Sequence, residues 1–283
     1  MYNLRYHIAS LVAVFLALAI GLVLGGLVVR QGTFDSQQRA LVSGLQSEYS
    51  KLKKENTTLK ASLSLEDAYA GETTDAWASG RLSGRNVVVV SSGGKNEGLD
   101  AAVAAVKSAG GVPVAITILK PGLGLASSDV ASAAASVLGS ETPVPSSADV
   151  AKRLCAEWSA PDHGRDLTDA LVGAGAIKVA GLGRTIVATQ VVDIAAFNDN
   201  PDPSGLDIAQ AYAAAGLYAI GAQGFGADTG VASAAAAREL SAFDTLGTHA
   251  GRFTLVALLS GGQQGYYSTV VRGAAVVPPV PKP

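Results

Sequence analysis

Residues 86–119 read NVVVVSSGGKNEGLDAAVAAVKSAGGVPVAITIL, and this stretch determines the fold class. A β-branched run over Asn86–Val90 ends in serines and glycines, and a segment with helical spacing, Leu99–Ala109, follows it. Two glycines then precede a second apolar run, Val112–Leu119. The order of strand, helix, glycine stop and strand predicts a βαβ unit. Both strands are apolar throughout, which is typical of a parallel sheet that is covered on both faces.

The same alternation continues to residue 276 and predicts one α/β domain with three layers and a mostly parallel sheet. The further strand candidates are Ile177–Ala180, Thr185–Thr189 and Leu217–Ile220. The further helix candidates are Ser128–Leu138, Ala148–Glu157, Leu206–Ala215 and Ala232–Leu240. The final residues, 277–283, read VPPVPKP and predict an extended proline-rich tail.

Before this domain, residues 8–29 form a run of 22 amino acids without a charge, IASLVAVFLALAIGLVLGGLVV. As a helix it would be roughly 33 Å long, which matches a hydrocarbon core of about 30 Å. We expect a retained membrane anchor of one span, contacting lipid, with the N-terminus inside and the bulk of the chain extracytoplasmic. The alternative is a cleaved signal, although such segments have shorter apolar runs and end in a small-x-small site. Gly21 and Gly25 form a GxxxG motif, a pattern that lets two helices approach closely.

The segment after the anchor has the heptad pattern of a short coiled coil. Glu48 and Glu55 fall at g positions, whereas Lys53 and Lys60 fall at e positions. In a parallel homodimer these residues would pair between chains, and a polar residue at an a position would fix the register. The alternative is a single amphipathic helix that packs on its own domain, which needs only the apolar stripe. The predicted dimerisation positions are Gly21 and Gly25 in the anchor, Val42, Tyr49, Asn56 and Leu63 at a, and Leu45, Leu52 and Leu59 at d.

The predicted organisation has five parts. It consists of residues 1–30 for a cytoplasmic stub and anchor, 31–66 for the coiled-coil stalk, 67–84 for a linker, 85–276 for the extracytoplasmic α/β domain, and 277–283 for the tail. The net charge of −2 offers no basic face, so we expect no nucleic-acid partner. With one cysteine, Cys155, the chain forms no internal disulfide.

We find no catalytic constellation and predict that the protein is not an enzyme, with no cofactor identified. His163 and His249 lie in no nucleophile motif, and Cys155 has the helical spacing of a core residue. The glycines after Val90 do not spell a dinucleotide fingerprint. The glycines of residues 221–230 offer a second candidate anion loop, but a surface loop explains them equally well. Asp193, Asp199, Asp202 and Asp207 suggest either a hard-cation site or, more simply, turn and capping residues.

Four segments resemble a known family. They are Leu4–Ile8 leading into the apolar run, Gly84–Val89 at the start of the first strand, Phe243–Thr245, and Gly251–Leu259. Together with the coil, they are similar to the mycobacterial copper transport protein B family. In that family the third segment corresponds to a closing Asp-containing loop and the fourth to a Gly-Arg helix. The resemblance covers essentially the whole chain in order.

This resemblance implies an actinobacterial cell-envelope protein with a role in copper transport, efflux and homeostasis, and outer-membrane placement as an alternative to the cell membrane. Copper prefers Cys, Met and His ligands. This chain has Met1, Cys155 and three histidines at 7, 163 and 249, with no two close in sequence. The metal ligands therefore remain unknown, and copper is implied by the resemblance alone. The second hypothesis is a non-catalytic dimeric scaffold that contacts other envelope components and binds no metal.

Overall fold

The computed structural model describes residues 4–30, 33–92, 98–181, 190–195, 202–225 and 230–280. The chain divides into two compact units, Met1–Glu66 and Asp67–Pro283. The first unit is helical, and the second contains the sheet with its surrounding helices.

The first helix, α1 (Leu4–Arg30), contains the uncharged run. Its segment Arg5–Leu27 is long and apolar enough to cross a membrane, a test that a signal sequence near the N-terminus also passes. Within the described single chain, the large apolar side chains of this segment are at least half exposed. Among the described residues, this segment therefore lacks the burial of a core helix.

The second helix, α2 (Thr33–Ala78), is 46 residues long. The apolar side chains at its predicted a and d positions are between 57% and 71% exposed in the single chain. The predicted linker, 67–84, contains the last turns of this helix instead of only irregular chain. Ala78 and Leu82 are buried there, and the Trp77 ring packs against Phe253 with ring centroids 4.2 Å apart. These last turns of α2 therefore belong to the second unit and pack within it.

Among the described residues, the sheet has seven strands in the order β3-β2-β1-β4-β5-β6-β7, and all neighbours are parallel except β2 and β3. The strands are β1 (Asn86–Ser91), β2 (Val112–Leu119), β3 (Ile177–Ala180), β4 (Gln190–Ala195), β5 (Tyr218–Gly224), β6 (Ser241–Leu246) and β7 (Tyr266–Tyr267). The helices of this unit are α3 (Leu99–Ser108), α4 (Ser128–Leu138), α5 (Ser147–Ser159), α6 (Asp166–Gly173), α7 (Pro203–Ala214), α8 (Val231–Ala237) and α9 (His249–Leu259). The predicted strand Thr185–Thr189 lies outside the described residues.

The valines of β1 show why this strand is apolar on both faces. Val88 and Val90 belong to a buried cluster with residues of α4 to α8, whereas Val87 and Val89 belong to a second cluster with α3 and α9. Because successive side chains of a strand point to opposite faces, a strand between two cores needs no polar residues. The α/β class predicted from this stretch is confirmed.

One local expectation was wrong. Phe243–Thr245, expected to be an Asp-containing loop, forms the middle of the buried strand β6. Asp244 is buried there because its carboxylate accepts hydrogen bonds from the Ser268 hydroxyl and from the Thr269 N–H, the latter at 3.0 Å. The polar side chain is thus satisfied inside the sheet, which the sequence pattern alone did not indicate.

Candidate functional site

A groove of about 760 Å³ lies between α5 and α7. Six alanines form much of its wall, so the side chains there are too short to fill the space between the two helices. Its volume is in the range that suits small ligands in proteins. The polar residues that line it are Lys152, Cys155, Ser159, His163, Asp207 and Gln210.

Helical periodicity explains why these residues share one surface. Ala148, Lys152, Cys155 and Ser159 recur at intervals of three and four along α5, and therefore lie on one face of the helix. Ser146 caps α5 by accepting a hydrogen bond from the Asp149 N–H at 3.1 Å. On the other side, Asp202 caps α7 through the Ser204 N–H at 3.0 Å. Both walls of the groove are thus helices with defined starts.

Asp207 is held by partners of its own. Its carboxylate forms an ion pair at 2.7 Å with Arg238, the residue that follows α8, and accepts a hydrogen bond from the Ser147 hydroxyl. Asp202 is similarly engaged, because its carboxylate also accepts the Gly122 N–H at 3.1 Å. Of the other two members of the acidic group, Asp199 and the side chain of Asp193 lie outside the described residues. The two described carboxylates therefore act in capping and ion pairing.

Cys155 provides a thiol in the wall of the groove and is only 4% exposed. Burial raises the pKa of the Cys155 thiol, and a hydrogen bond with the Ser159 side chain opposes that effect. The Ser159 hydroxyl also donates to the Cys155 carbonyl oxygen at 2.6 Å. Burial thus favours the protonated thiol over the thiolate.

His163 lines the same groove from the short 3-10 turn Pro161–His163 that follows α5. Arg153 ties this turn to the helix, because its guanidinium donates to the His163 carbonyl oxygen at 3.4 Å and pairs with Glu157 at 3.1 Å. The carboxylate of Glu157 is itself buried and accepts the N–H groups of Leu167 and Thr168. The structure therefore brings Cys155 and His163 to one cavity.

The third candidate copper ligand, His249, lies elsewhere. Its Nε2 is 3.2 Å from the Asp67 carboxylate, and its Nδ1 is 2.7 Å from the Arg252 guanidinium. The imidazole packs so closely on Gly71 that a Cβ there would lie 3.0 Å from the ring. This histidine joins the end of α2 to the start of α9 and does not line the groove.

Tyr212 of α7 is a buried residue that sequence reasoning missed. Its side chain is fully buried, and its hydroxyl has no hydrogen-bond partner among the described residues. Burial raises the pKa of Tyr212 strongly, and the charge of a nearby Cys155 thiolate raises it further. Tyr212 and Cys155 belong to the same buried cluster. The apolar pattern of α7 gives no indication that Tyr212 has an unbonded, buried hydroxyl.

The described residues do not form a complete set of metal ligands. Among the described residues, no group of three or more His, Cys, Asp and Glu side chains is close enough to hold a metal ion. The groove contributes one thiol and one imidazole as soft donors. Such a pair suits a Cu(I) ion better than a hard cation, which prefers several oxygens.

The glycines of the second candidate loop have packing roles where the structure describes them. A Cβ at Gly221 would overlap the Ala235 side chain, so this glycine lets α8 approach β5. The side-chain oxygen of Gln223 accepts a hydrogen bond from the Ala232 N–H at 3.3 Å. This N–H group, in the first turn of α8, is therefore already bonded within the protein. The centre of the loop, 226–229, lies outside the described residues.

The comparisons with known proteins concern the whole chain. No curated protein matches it. A family model described as "Copper transport outer membrane protein, MctB" matches residues 1–278 of the 283. The match includes the apolar helix, α2 and the α/β unit, and it confirms the resemblance found in the sequence. The chain therefore belongs to the MctB family of copper transport outer membrane proteins.

Proposed function

We propose that this protein takes part in copper transport and efflux, and so in copper homeostasis, as a membrane-anchored component of an actinobacterial cell envelope. The observation that carries the proposal is the family match over residues 1–278. The α1 helix supports single-pass anchoring, because its uncharged run has the length of a bilayer core. The bulk of the chain, a three-layer and mostly parallel-sheet domain, is then extracytoplasmic.

A non-catalytic role fits the chemistry of the groove. A nucleophilic cysteine needs a lowered pKa and an electropositive, accessible setting. At Cys155 the setting is the reverse, because burial raises the pKa of the thiol. Asp207, the carboxylate in the same groove, is already engaged in an ion pair with Arg238. We therefore propose transport or binding as the role of the groove.

A deletion strain tests the copper role directly. We expect the strain to lose tolerance to copper selectively, while its tolerance to zinc and to detergent stays unchanged. Expression of the full-length chain should restore growth on copper. A strain that is equally sensitive to all of these stresses would contradict a copper-specific role.

The second candidate is a dimeric envelope scaffold without direct metal binding, and the exposed heptad face of α2 supports it. Leucines at the d positions favour a two-stranded coil, and the e and g charges favour parallel chains. Dimer formation would remove the exposed apolar side chains of this face from water. Sedimentation equilibrium of the full chain in density-matched detergent tests this point, and a strictly monomeric protein at high concentration would contradict the dimer.

A further inference from the structure

We propose that His249 is a pH-sensitive latch that holds the last turns of α2, from residue 67 to residue 75, against the start of α9. The neutral imidazole closes the latch, and protonation of the ring opens it. The latch lies entirely within the second unit and does not depend on the copper role. Three observations carry the proposal: a chain of side-chain contacts, the tautomer that these contacts require, and the surroundings of the ring.

Four side chains link α2 to α9 in one continuous chain of contacts. The Asp67 carboxylate lies 3.2 Å from Nε2 of His249, and Nδ1 of the same ring lies 2.7 Å from Nη2 of Arg252. The Arg252 guanidinium in turn pairs with the Asp75 carboxylate, farther along α2. Both ends of this chain of contacts are therefore on α2, and both central groups are on α9.

These contacts determine where the ring carries its proton. A guanidinium has only donors, so Nδ1 of His249 must accept the hydrogen bond from Arg252 and carries no proton. The single proton of the neutral imidazole is then on Nε2, which donates it to the Asp67 carboxylate. A second proton can be added only at Nδ1. There it would replace the acceptor with a donor that faces a cation at 2.7 Å.

The charges around the ring give the direction of the effect. Protonation would strengthen the attraction between His249 and Asp67, but the Asp67 side chain is 76% exposed, and exposed ion pairs contribute little. The side chains of His249 and Arg252 are only 29% and 24% exposed, so water screens their repulsion less. The Asp75 carboxylate is already paired with Arg252. Acid therefore weakens the contact between the two helices.

The ring lies between a close contact and an open space. On the α2 side, a Cβ at Gly71 would lie 3.0 Å from Cε1 of His249, so the ring touches that helix directly. On the other side, His249 and Arg252 line an open cavity of about 260 Å³ beside α3. Water can therefore reach the ring, and the charged ring has room to move away from Arg252. The α3 residues that line this cavity do not titrate; they are Ala101, Ala104, Ala105 and Ser108.

Opening is local, because other contacts hold the end of α2. The Trp77 ring packs on Phe253 with centroids 4.2 Å apart, and Ala78 and Leu82 are buried. Of residues 67–75, all of which the structure describes, only Thr74 is buried. Turns with so little burial open at low cost in free energy. Loss of the His249 contacts therefore frees these turns while the Trp77 packing remains.

Amide hydrogen–deuterium exchange of the full chain in detergent measures the latch directly. Between about pH 7.5 and about pH 5.5 a histidine changes its charge, whereas an ordinary aspartate stays ionised. After correction for intrinsic exchange rates, we expect the amides of residues 67–75 to lose protection about tenfold at the lower pH, because one hydrogen bond to a charged group is lost. The amides of α7 provide the internal reference and should keep their protection.

Substitutions at His249 separate the charge from the contacts. In His249→Gln the amide can accept from Arg252 and donate to Asp67 but does not protonate, so protection should stay high at both pH values. His249→Lys carries a fixed charge and should show low protection at both. His163→Gln is the matched control, because it removes an exposed imidazole beside the groove of α5 and α7 and should respond to pH as wild type does.

Several results would overturn the latch. One is equal protection of residues 67–75 at both pH values in the wild type, and another is a pH response in His249→Gln as large as in the wild type. Greater protection at the lower pH would show that the attraction to Asp67 dominates instead. Loss of the response in His163→Gln would place its origin outside the latch. If His249→Lys fails to fold, the comparison of wild type with His249→Gln still decides the matter.

Discussion

Gly251 shows how a single missing side chain fixes the approach of α9 to the sheet. A Cβ at this position would overlap the Thr245 carbonyl oxygen and lie 2.9 Å from the Leu246 nitrogen. Replacing a glycine inside a helix with alanine ordinarily raises the free energy of unfolding by about 1 kcal/mol. Here the overlap is with main chain, which cannot rotate away. We expect Gly251→Ala to lower the free energy of unfolding by about 2–3 kcal/mol, measured by denaturant titration.

Gly173 offers a matched control for this substitution. It ends α6 in the same unit, and a Cβ there would meet nothing within 4 Å. Gly173→Ala should therefore leave the free energy of unfolding unchanged or raise it by up to about 1 kcal/mol. Equal effects of the two substitutions would show that helix propensity, and not contact with β6, determines the result.

Cys155 and Tyr212 make stability depend on alkaline pH. Burial raises the pKa of both groups, so the folded chain keeps protons that the unfolded chain releases above about pH 8.5 for Cys and about pH 10 for Tyr. The folded state then binds more protons, and the free energy of unfolding falls as pH rises, by at most about 1.4 kcal/mol per pH unit for each group.

We expect urea titrations to show constant stability near neutral pH and a decline that begins at about pH 8.5. In Cys155→Ala the decline should begin only near pH 10, because the remaining groups whose pKa burial raises are the tyrosines Tyr212 and Tyr267. An unchanged onset in this variant would contradict the burial of the thiol as the cause.

The meeting of Cys155 and His163 was only partly predictable. The helical spacing around Cys155 indicated a core position, and the structure confirms that the side chain is buried. His163 lies in the short turn that follows α5. Their common cavity depends on how α7 packs beside α5 and on how Arg153 holds the turn. Such tertiary contacts leave no local pattern in the sequence.

At the scale of elements, regular apolar segments were predictable and mixed ones were not. The predicted bounds of β2, β3 and α4 agree with the structure, because these segments are continuous and end in glycine or turn residues. The strand β6 was missed because Ser241, Asp244 and Thr245 interrupt its apolar pattern. Those polar groups are buried against residues far along the chain, such as Ser268. The local sequence of β6 does not indicate which distant residues bond its buried polar groups.

The coiled coil of α2 remains a prediction, and Asn56 provides its test. If α2 pairs with a second copy, Asn56 occupies a buried a position, where a polar side chain costs stability and fixes the register. We expect Asn56→Leu to raise the thermal unfolding midpoint of the coil and to add higher oligomers to the sedimentation profile. Thr58→Leu is the matched control, because it adds the same side chain at an exposed c position. A response of similar size in both variants would contradict the predicted seam.

At the scale of the whole molecule, the α/β class was predictable and the strand order was not. Alternating helices and apolar runs require a sheet that is covered on both faces, and the two buried clusters on either side of β1 satisfy that requirement. Which strands are neighbours depends on the packing of the helices between them. The edge strand β3 pairs antiparallel with β2, at the end of the sheet farthest from β7. No feature of its short sequence, IKVA, indicates that direction.

Whether α1 anchors the chain or is removed as a signal determines the form in which the molecule acts. The uncharged run of 22 residues favours an anchor, because it is long enough to span a bilayer and lacks a small-x-small cleavage site at its end. We expect the mature protein to retain this segment by intact mass and to stay with membranes during alkaline carbonate extraction. Leu16→Arg, near the middle of the run, should reduce insertion at a cost of about 2.5–3.5 kcal/mol, whereas Leu16→Ile should not. Separation of inner and outer membranes on a density gradient then tests the localisation, with the cell membrane expected and the outer membrane as the alternative that the family description suggests. A mature chain that begins after Leu27 would make the segment a signal and would require another means of membrane attachment.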